Sequence, residues 1–344
     1  MTKRVTIQDI ADSLGITKGL VSRALTGKYN VSDQMREQIT EKAVELDYDF
    51  SKLRSKSKKR SKCLLVMSSE LFLNKDYWQP IIRSLTTTLD AHRINLEYLV
   101  YDVKSISADD IVKLKSAYAS GYVFINDNPE PLLRAAERTN LPVVVIDPKT
   151  ILSGKHLQIK YNNFYSFYQL ACKLIQGGHK NFLFYGPAHE SVSFAEREQG
   201  LAAAVAENHE IGAKLKRVLF DNAAGTYCDE EKLRAALAEY PATTAVFCAN
   251  DIVAIQAVKT LAKMGKKVPD DVSVVGFDNI FESGLPQYSL TTVNVPRAEL
   301  GEEAATYLVN HITNKQIKYS QIVIDCEIVI RNSVKNINSE EKVL

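Results

Sequence analysis

Long apolar runs are missing from this chain of 344 residues. No run approaches the roughly 20 residues that cross a bilayer. The first residues include Lys3, Arg4 and Asp9 instead of the apolar stretch of a signal peptide. We therefore expect a cytoplasmic protein that has no membrane partner.

Cysteine is scarce and catalytic motifs are missing. The five cysteines are odd in number, far apart and without a C-x-x-C pair: Cys63, Cys172, Cys228, Cys248 and Cys326. This pattern argues against a disulfide framework or a zinc site and favours buried thiols. The sequence also lacks G-x-S-x-G, G-x-G-x-x-G, H-E-x-x-H and a Walker loop. We expect no enzyme activity, no catalytic residues, no metal and no cofactor.

Basic charge is in excess only near the N-terminus. Residues 1–62 hold 14 Lys and Arg against 8 Asp and Glu, whereas the rest of the chain holds 29 against 33. Residues 52–62 contain seven of these cations and no acid. On its own, such a run indicates a solvated linker. Next to a DNA-binding motif, it indicates a segment that contacts a polyanion. The length indicates two or three domains.

The first sixty residues predict three short helices. Thr6 is a typical N-cap, and apolar residues recur at i, i+3, i+4 and i+7 from Ile7 until Gly15 ends the helix. Thr17 and Ser32 can cap the second and third helices. A tight turn with glycine between the first two helices is typical of a helix-turn-helix, whose second helix enters the major groove of DNA. Any small three-helix bundle is the alternative.

The identities of these residues are more specific evidence than their spacing. Residues 5–11, 14–17, 21–25, 31–32 and 46–48 resemble the headpiece of the lactose-repressor (LacI/GalR) family. The resemblance implies that Lys18 and Gly19 occupy positions where the family varies its base readers, and that Ser22 and Arg23 contact phosphate and base. The residues expected at the DNA are Thr6, Thr17, Lys18, Gly19, Ser22, Arg23, Leu53 and Arg54.

The segment after the headpiece departs from the family pattern. The usual hinge begins with Pro, where this chain has Phe50, and inserts a leucine into the minor groove at a position that falls here on Lys56 or Ser57. Leu53 is the only aliphatic candidate. Either Leu53 is the wedge, or the hinge binds DNA through charge.

Beyond residue 62, apolar strand-like runs alternate with amphipathic helical stretches. The strand candidates span residues 63–67, 96–101, 121–125, 143–146, 182–185, 217–220, 244–248 and 272–277. Helical stretches include residues 77–92, 164–176, 194–207, 230–239 and 251–264. This alternation predicts an α/β fold with two doubly wound, Rossmann-like subdomains, which bind ligands at the carboxyl ends of their strands.

Several core segments resemble the same family. They span residues 177–186, 197–200, 245–251, 268–279 and 290–301, and the whole resemblance covers about residues 5–335. It implies a periplasmic-binding-protein-like core. We expect a headpiece at 1–49, a basic hinge at 50–61, a core at 62–335 and a polar tail at 336–344. Within the core we expect an N-subdomain of about 62–161 plus 291–325 and a C-subdomain of about 162–290 plus 326–335.

Polar residues at strand ends are candidate effector ligands, because carboxylates, amides and guanidinium groups bind sugar hydroxyls. Arg197 and Asp278 are favoured further by the family resemblance. Each has an alternative, a turn residue for Asp278 and a surface charge for Arg197. Trp78 and Phe220 could stack on a sugar or belong to the core. The full set is Ser69, Glu70, Trp78, Asp147, Arg197, Phe220, Asn250 and Asp278.

The resemblance predicts a DNA-binding repressor of a carbohydrate operon, a homodimer on a pseudo-palindromic operator, controlled by a small sugar. A purine effector or a phosphorylated protein partner remains open. A sugar-binding transport module and a sugar-processing enzyme are the alternatives from other classes. The absent signal sequence and the absent catalytic set argue against them.

We predict that binding to a palindromic operator weakens steeply as salt rises, because Lys and Arg displace counterions from DNA. Arg23→Ala should weaken this binding by about 1–3 kcal/mol, the usual cost of a lost base contact. Fluorescence anisotropy at several salt concentrations measures both effects, with Lys263→Ala as the control. Affinity that is insensitive to salt, or that is unaffected by Arg23→Ala, would contradict the DNA-binding assignment.

Overall fold

The computed structural model describes residues 5–26, 31–50, 61–73, 75–188, 191–222, 225–313 and 320–338. Its first three helices are α1 (Ile7–Leu14), α2 (Lys18–Leu25) and α3 (Asp33–Glu45). Their inward faces form one small core, in which Ile10, Val21 and Ile39 are fully buried. The predicted helix-turn-helix is therefore present.

The helix starts of this headpiece follow from local capping. The hydroxyl of Thr6 accepts from the backbone N–H of Asp9 at 3.3 Å, while the Asp9 carboxylate accepts from the N–H of Thr6 at 2.7 Å. Gly15 ends α1 in the left-handed region, with φ of 65°. Thr17 and Ser32 cap α2 and α3. All three predicted caps are confirmed.

The rest of the chain alternates strands and helices. The strands are β1 (Ser61–Ser68), β2 (Ile94–Tyr101), β3 (Gly121–Ile125), β4 (Val143–Ile146), β5 (Leu157–Tyr161), β6 (Asn181–Pro187), β7 (Lys214–Phe220), β8 (Ala245–Cys248), β9 (Ser273–Val275), β10 (Thr292–Asn294), β11 (Gln321–Ile324) and β12 (Glu327–Val329). The helices are α4 (Ser69–Leu73), α5 (Lys75–Ala91), α6 (Ala108–Ser116), α7 (Glu130–Glu137), α8 (Asn163–Gln176), α9 (Val192–Glu207), α10 (Glu230–Glu239), α11 (Asp251–Lys263) and α12 (Arg297–Ile312).

The chain divides into two compact units. The first unit comprises Met1–Ile146, Leu152–Ile159 and Ala298–Ile322. Its sheet has the order β2-β1-β3-β4-β5-β11, and the pairs from β2 to β5 are parallel. The strands β3 and β4 are buried along their whole length, as expected for parallel strands covered on both faces.

The second unit comprises Asp147–Ile151, Lys160–Arg297 and Val323–Leu344. Four parallel strands form its sheet in the order β7-β6-β8-β9, and β10 pairs with β12 in an antiparallel ribbon. The predicted α/β class with parallel sheets is confirmed. The domain limits that the family resemblance implies differ in detail from these two units and remain predictions.

The eight strands predicted from apolar runs are present, with ends that differ by a few residues. The sequence analysis did not predict β5, β10, β11 or β12. Three of these strands have only three or four residues, and β5 alternates buried and half-buried positions. Strands this short are defined by their pairing partners more than by their own sequence.

The helices α8 and α9 of the second unit pack unusually closely at Gly200. A Cβ atom on Gly200 would lie 2.0 Å from the carbonyl oxygen of Phe164, so no other residue fits without moving the backbone. This contact fixes α9, which carries Arg197, against the first turn of α8.

None of the described helices is long and apolar enough to cross a membrane.

Candidate functional site

The outer face of α2 presents the predicted DNA-reading residues. Lys18, Gly19 and Arg23 are exposed, and the first turn of α2 contains no acidic residue. Its N-terminus therefore offers backbone N–H groups and positive charge, which suit a phosphate. Arg36 of α3 donates to the carbonyl oxygen of Ala24 at 2.6 Å and so fixes α2 against α3.

The other predicted DNA contacts have local roles or lie elsewhere. The hydroxyls of Thr6 and Thr17 are already helix caps, so contact with DNA would have to share these hydrogen bonds. Ser22 is half-buried. Leu53 and Arg54 lie outside the described residues, and the choice between wedge and charge at the hinge stays open.

Arg197 is the centre of a buried polar cluster in the second unit. Its side chain is only 3% exposed. Its Nε donates to Asn163 Oδ1 at 3.0 Å, and its Nη1 donates to the carbonyl oxygen of Ala249 at 2.7 Å. The guanidinium lies 3.6 Å from the ring centroid of Phe277, a cation–π contact. Arg197 is thus a buried cation at the ends of strands, not a surface charge.

Asp278 lies beside this guanidinium in a constrained conformation. Its φ of 107° belongs to a region that side chains rarely adopt. Its N–H donates to the carbonyl oxygen of Val293, and its own carbonyl oxygen accepts from Arg297 Nη2 at 2.5 Å. The Asp278 Oδ1 atom is 3.5 Å from Arg197 Nη2, an ion pair too long for a hydrogen bond. Among the described residues, this buried oxygen accepts no hydrogen bond.

Burial raises the pKa of Asp278 from its ordinary value to about 7. Arg197 and Arg297 oppose the rise, whereas the neighbouring carboxylates of Asp251 and Asp147 add to it. A carboxyl group with this pKa and an unused buried oxygen is unfavourable for folding alone. Such groups are commonly kept for binding.

Asp147 belongs to the same electrostatic cluster. It is buried, has a φ of 45° and accepts from the hydroxyl of Ser193 at 2.9 Å. Burial raises its pKa, and Arg197 is the main influence that lowers it. The structure thus brings the predicted residues Asp147, Arg197 and Asp278 together.

Asn250 and Phe220 are placed differently from each other. Asn250 follows the carbonyl group that Arg197 contacts, and its Oδ1 caps α11 by accepting from Val253 N–H at 3.0 Å. Phe220 is fully buried with its ring 4.9 Å from that of Tyr185. This position fits the core alternative for Phe220 better than a stacking role, because the ring is part of the core.

The structure places the predicted ligands Ser69 and Glu70 directly after β1. Ser69 opens α4 and Glu70 is exposed, and both stay predictions. A polar pair lies next to them, in which the buried Ser68 donates its hydroxyl to Asp127 Oδ2 at 3.0 Å. The sequence analysis missed Asp127, although it follows the buried strand β3 and the pattern of polar strand ends could have found it.

Trp78 is buried beside an apolar cavity of the first unit. Its ring makes an edge-to-face contact with Tyr77, with centroids 4.8 Å apart. The cavity has a volume of about 160 Å³ and is lined by Met67, Leu71, Phe72, Trp78, Gln79, Ile82 and Tyr98. The core alternative for Trp78 fits this environment better than sugar stacking.

Two family models match the chain. The model for bacterial regulatory proteins of the lacI family matches residues 6–50, and a periplasmic binding protein-like domain matches residues 171–334. The transcriptional repressor PurR of Mannheimia succiniciproducens is 29% identical over 96% of this chain and 99% of its own length.

Solved structures share the same architecture. A complex of the regulator CelR with cellobiose is 23% identical, with a TM-score of 0.66 and coverage of 96% of this chain and 100% of that chain. A lac repressor dimer bound to operator and an anti-inducer is 21% identical, with a TM-score of 0.63 and coverage of 96% and 99%. At these identities the likeness shows the fold.

A helix-turn-helix headpiece joined to two parallel α/β units defines a DNA-binding regulator with a periplasmic-binding-protein-like core. The chain belongs to the LacI family of bacterial regulatory proteins. It is a transcriptional regulator and not an enzyme.

We predict that Asp278→Asn changes the pH dependence of stability. The folded pKa of Asp278 lies above the ordinary value of 3.8, so its protonated form stabilises the fold below about pH 4, and this contribution is lost as pH rises to about 7. The variant lacks this loss. Its unfolding free energy relative to the natural protein should rise between pH 5 and pH 8, by at most about 3 kcal/mol.

Urea unfolding at several pH values measures this difference. Asp251, whose burial raises its pKa to about 6, titrates in both proteins, and its contribution largely cancels in the comparison. A stability difference that stays constant from pH 5 to pH 8 would show that Asp278 is ionised normally.

Proposed function

We propose that this regulator is a dimeric repressor of a carbohydrate-utilisation operon, controlled by a small uncharged sugar that contacts Arg197 and Asp278. The observation that carries the proposal is the buried Asp278 Oδ1, which accepts no hydrogen bond among the described residues and lies 3.5 Å from Arg197 Nη2. A hydroxyl group that donates to Oδ1 and accepts from Nη2 would satisfy both groups.

The surrounding charges favour an uncharged effector. The Nε and Nη1 atoms of Arg197 are already bonded to Asn163 and Ala249. Asp147 and Asp278 are buried acceptors beside it. A carboxylate or phosphate would have to approach two buried carboxyl groups, while both neighbouring arginines already donate to atoms of the protein, which is unfavourable. Vicinal hydroxyls both donate and accept, so they match this mixture.

A purine is the second candidate. Its N–H groups could donate to Asp278 in the same way, and the relative named PurR supports this alternative. The fold neighbour CelR, solved with cellobiose, supports the sugar. For the phosphorylated protein partner that the resemblance leaves open, we find no supporting contact among the described residues.

We predict that Asp278→Ala and Arg197→Ala lose the effector response. Each removes a charge-assisted hydrogen bond worth roughly 1.5–3 kcal/mol of effector binding. The experiment is a thermal-shift screen of cellobiose, D-ribose, D-gluconate, glucose 6-phosphate and hypoxanthine, because a specific binder stabilises the fold by mass action. Titration calorimetry of the strongest binder with each variant follows. Neutral sugars should bind, and the two anionic compounds should not.

Glu210→Ala is the matched control, because Glu210 is an exposed carboxylate in the same unit. Thermal unfolding without effector shows whether each variant is folded. A folded Asp278→Ala variant with the natural affinity would place the effector elsewhere. Preferred binding of glucose 6-phosphate would refute the uncharged class.

We propose that exposed apolar side chains of both units hold the dimer. Phe281 is 82% exposed and Ile252 is 42% exposed in the second unit. In the first unit, Phe72, Tyr98 and Val100 are 40–47% exposed. Tyr98 and Val100 lie on the edge strand β2. Exposed apolar patches and unpaired strand edges are typical of interfaces. A second copy related by a two-fold axis suits a palindromic operator.

We predict that light scattering finds a dimer and that Phe281→Glu weakens it, since a buried charge disrupts an apolar contact. The dimer dissociation constant should rise at least tenfold by sedimentation. The control is Ile211→Glu, another exposed apolar residue of the second unit, at 48%. A monomer, or equal effects of the two substitutions, would contradict this assignment of the interface.

A further inference from the structure

Asn163 joins the effector-site arginine to a second charged pair. It is the first residue of α8 and is 1% exposed. Its Oδ1 accepts from Arg197 Nε at 3.0 Å, and its Nδ2 donates to Glu196 Oε2 at 3.1 Å. Nδ2 also donates to the carbonyl oxygen of Tyr161 at 3.3 Å.

These partners determine the orientation of the amide. Arg197 has only donors and Glu196, when ionised, has only acceptors, so the oxygen of Asn163 must face Arg197 and the nitrogen must face Glu196. No other side chain of this size supplies an acceptor and a donor at the two ends. A buried apolar residue would remove one hydrogen bond from each of the two charged neighbours, which is costly.

Glu196 is held in turn by a cation. Its Oε1 atom forms an ion pair with Nζ of Lys160, and both side chains are about one fifth exposed. Lys160 lies on β5, the strand on which the chain passes from the first unit to the second. The groups therefore form one line from Lys160 through Glu196 and Asn163 to Arg197.

The pair of Lys160 and Glu196 also affects the charge around Arg197. Asp147, Glu196 and Asp278 are three carboxyl groups around Arg197 and Lys160. Lys160 is paired with Glu196, so Glu196 does not need the guanidinium of Arg197 as its cationic partner. The charges of Glu196 and Lys160 also act on Asp147 in opposite directions.

We propose that Asn163 is a positioning residue for effector recognition, whose amide fixes the guanidinium of Arg197 and is itself fixed by Glu196 and Lys160. This inference rests on the proposed effector site at Arg197 and Asp278. Asn163 does not need to touch the effector. It determines where the guanidinium of Arg197 lies.

The first test is an exchange of donor and acceptor. Asn163→Asp keeps the size and the acceptor for Arg197 but places a carboxylate against Glu196. It should weaken binding of whichever of cellobiose, D-ribose or hypoxanthine binds the natural protein, by roughly 10- to 150-fold. Combining it with Glu196→Gln restores a donor facing an acceptor at unchanged net charge. The double variant should recover to within about threefold.

The pH profile separates positioning from a structural defect. In Asn163→Asp alone, protonation of the new carboxyl group restores a donor, so affinity relative to that of the natural protein at the same pH should recover toward pH 5. Asn208→Asp is the matched control, since Asn208 Nδ2 donates to the carbonyl oxygen of Ala204 at 2.8 Å in the same unit. The control should show no such recovery. Natural affinity in Asn163→Asp, or no recovery in the double variant, would overturn the proposal.

A measurement without effector distinguishes failure of the positioning role from failure of the effector site. Arg197 lowers the pKa of Asp278. If Asn163 holds Arg197 in place, Asn163→Ala should raise the pKa of Asp278. This pKa is measured by ¹³C carboxyl NMR, and the signal of Asp278 is assigned by its loss in Asp278→Asn. An unchanged pKa would refute the positioning role even where no compound of the panel binds. A raised pKa without any binder would refute only the effector site.

Discussion

The burial of one guanidinium organises the second unit. Arginine cannot lose its proton in a protein, so Arg197 must find acceptors wherever the fold places it. It donates to Asn163 of α8 and to the carbonyl group of Ala249, forms an ion pair with Asp278 and lies on the ring of Phe277. One cation thereby joins a helix start to two strand ends. The remaining unmatched oxygen is located where a parallel sheet usually binds its ligand.

Features with local causes were predictable from the sequence. The caps at Thr6, Thr17 and Ser32 form hydrogen bonds with residues within the first turn of each helix. Buried strands such as β3 are continuous apolar runs in the sequence. The strands β10 and β12 are three residues each and exist because they pair with each other across 33 to 37 positions of sequence. No window of sequence contains that information.

The site was predictable in part for the same reason. Arg197 and Asp278 could be chosen because strand ends and family motifs mark them. Phe220 also ends a strand, yet its ring packs inward, since the direction of an aromatic side chain depends on its neighbours across the sheet. Asn163 gave no signal, because its importance arises from two residues of α9 that lie more than thirty positions away.

The contact between Gly200 and the backbone of Phe164 limits how this regulator can be redesigned. Any side chain at position 200 would push α9, which carries Arg197, away from α8, which carries Asn163. A library aimed at new effectors of the proposed site should therefore keep positions 163, 197 and 200 constant. It should vary the surrounding strand-end residues, which change the shape of that site without moving its guanidinium.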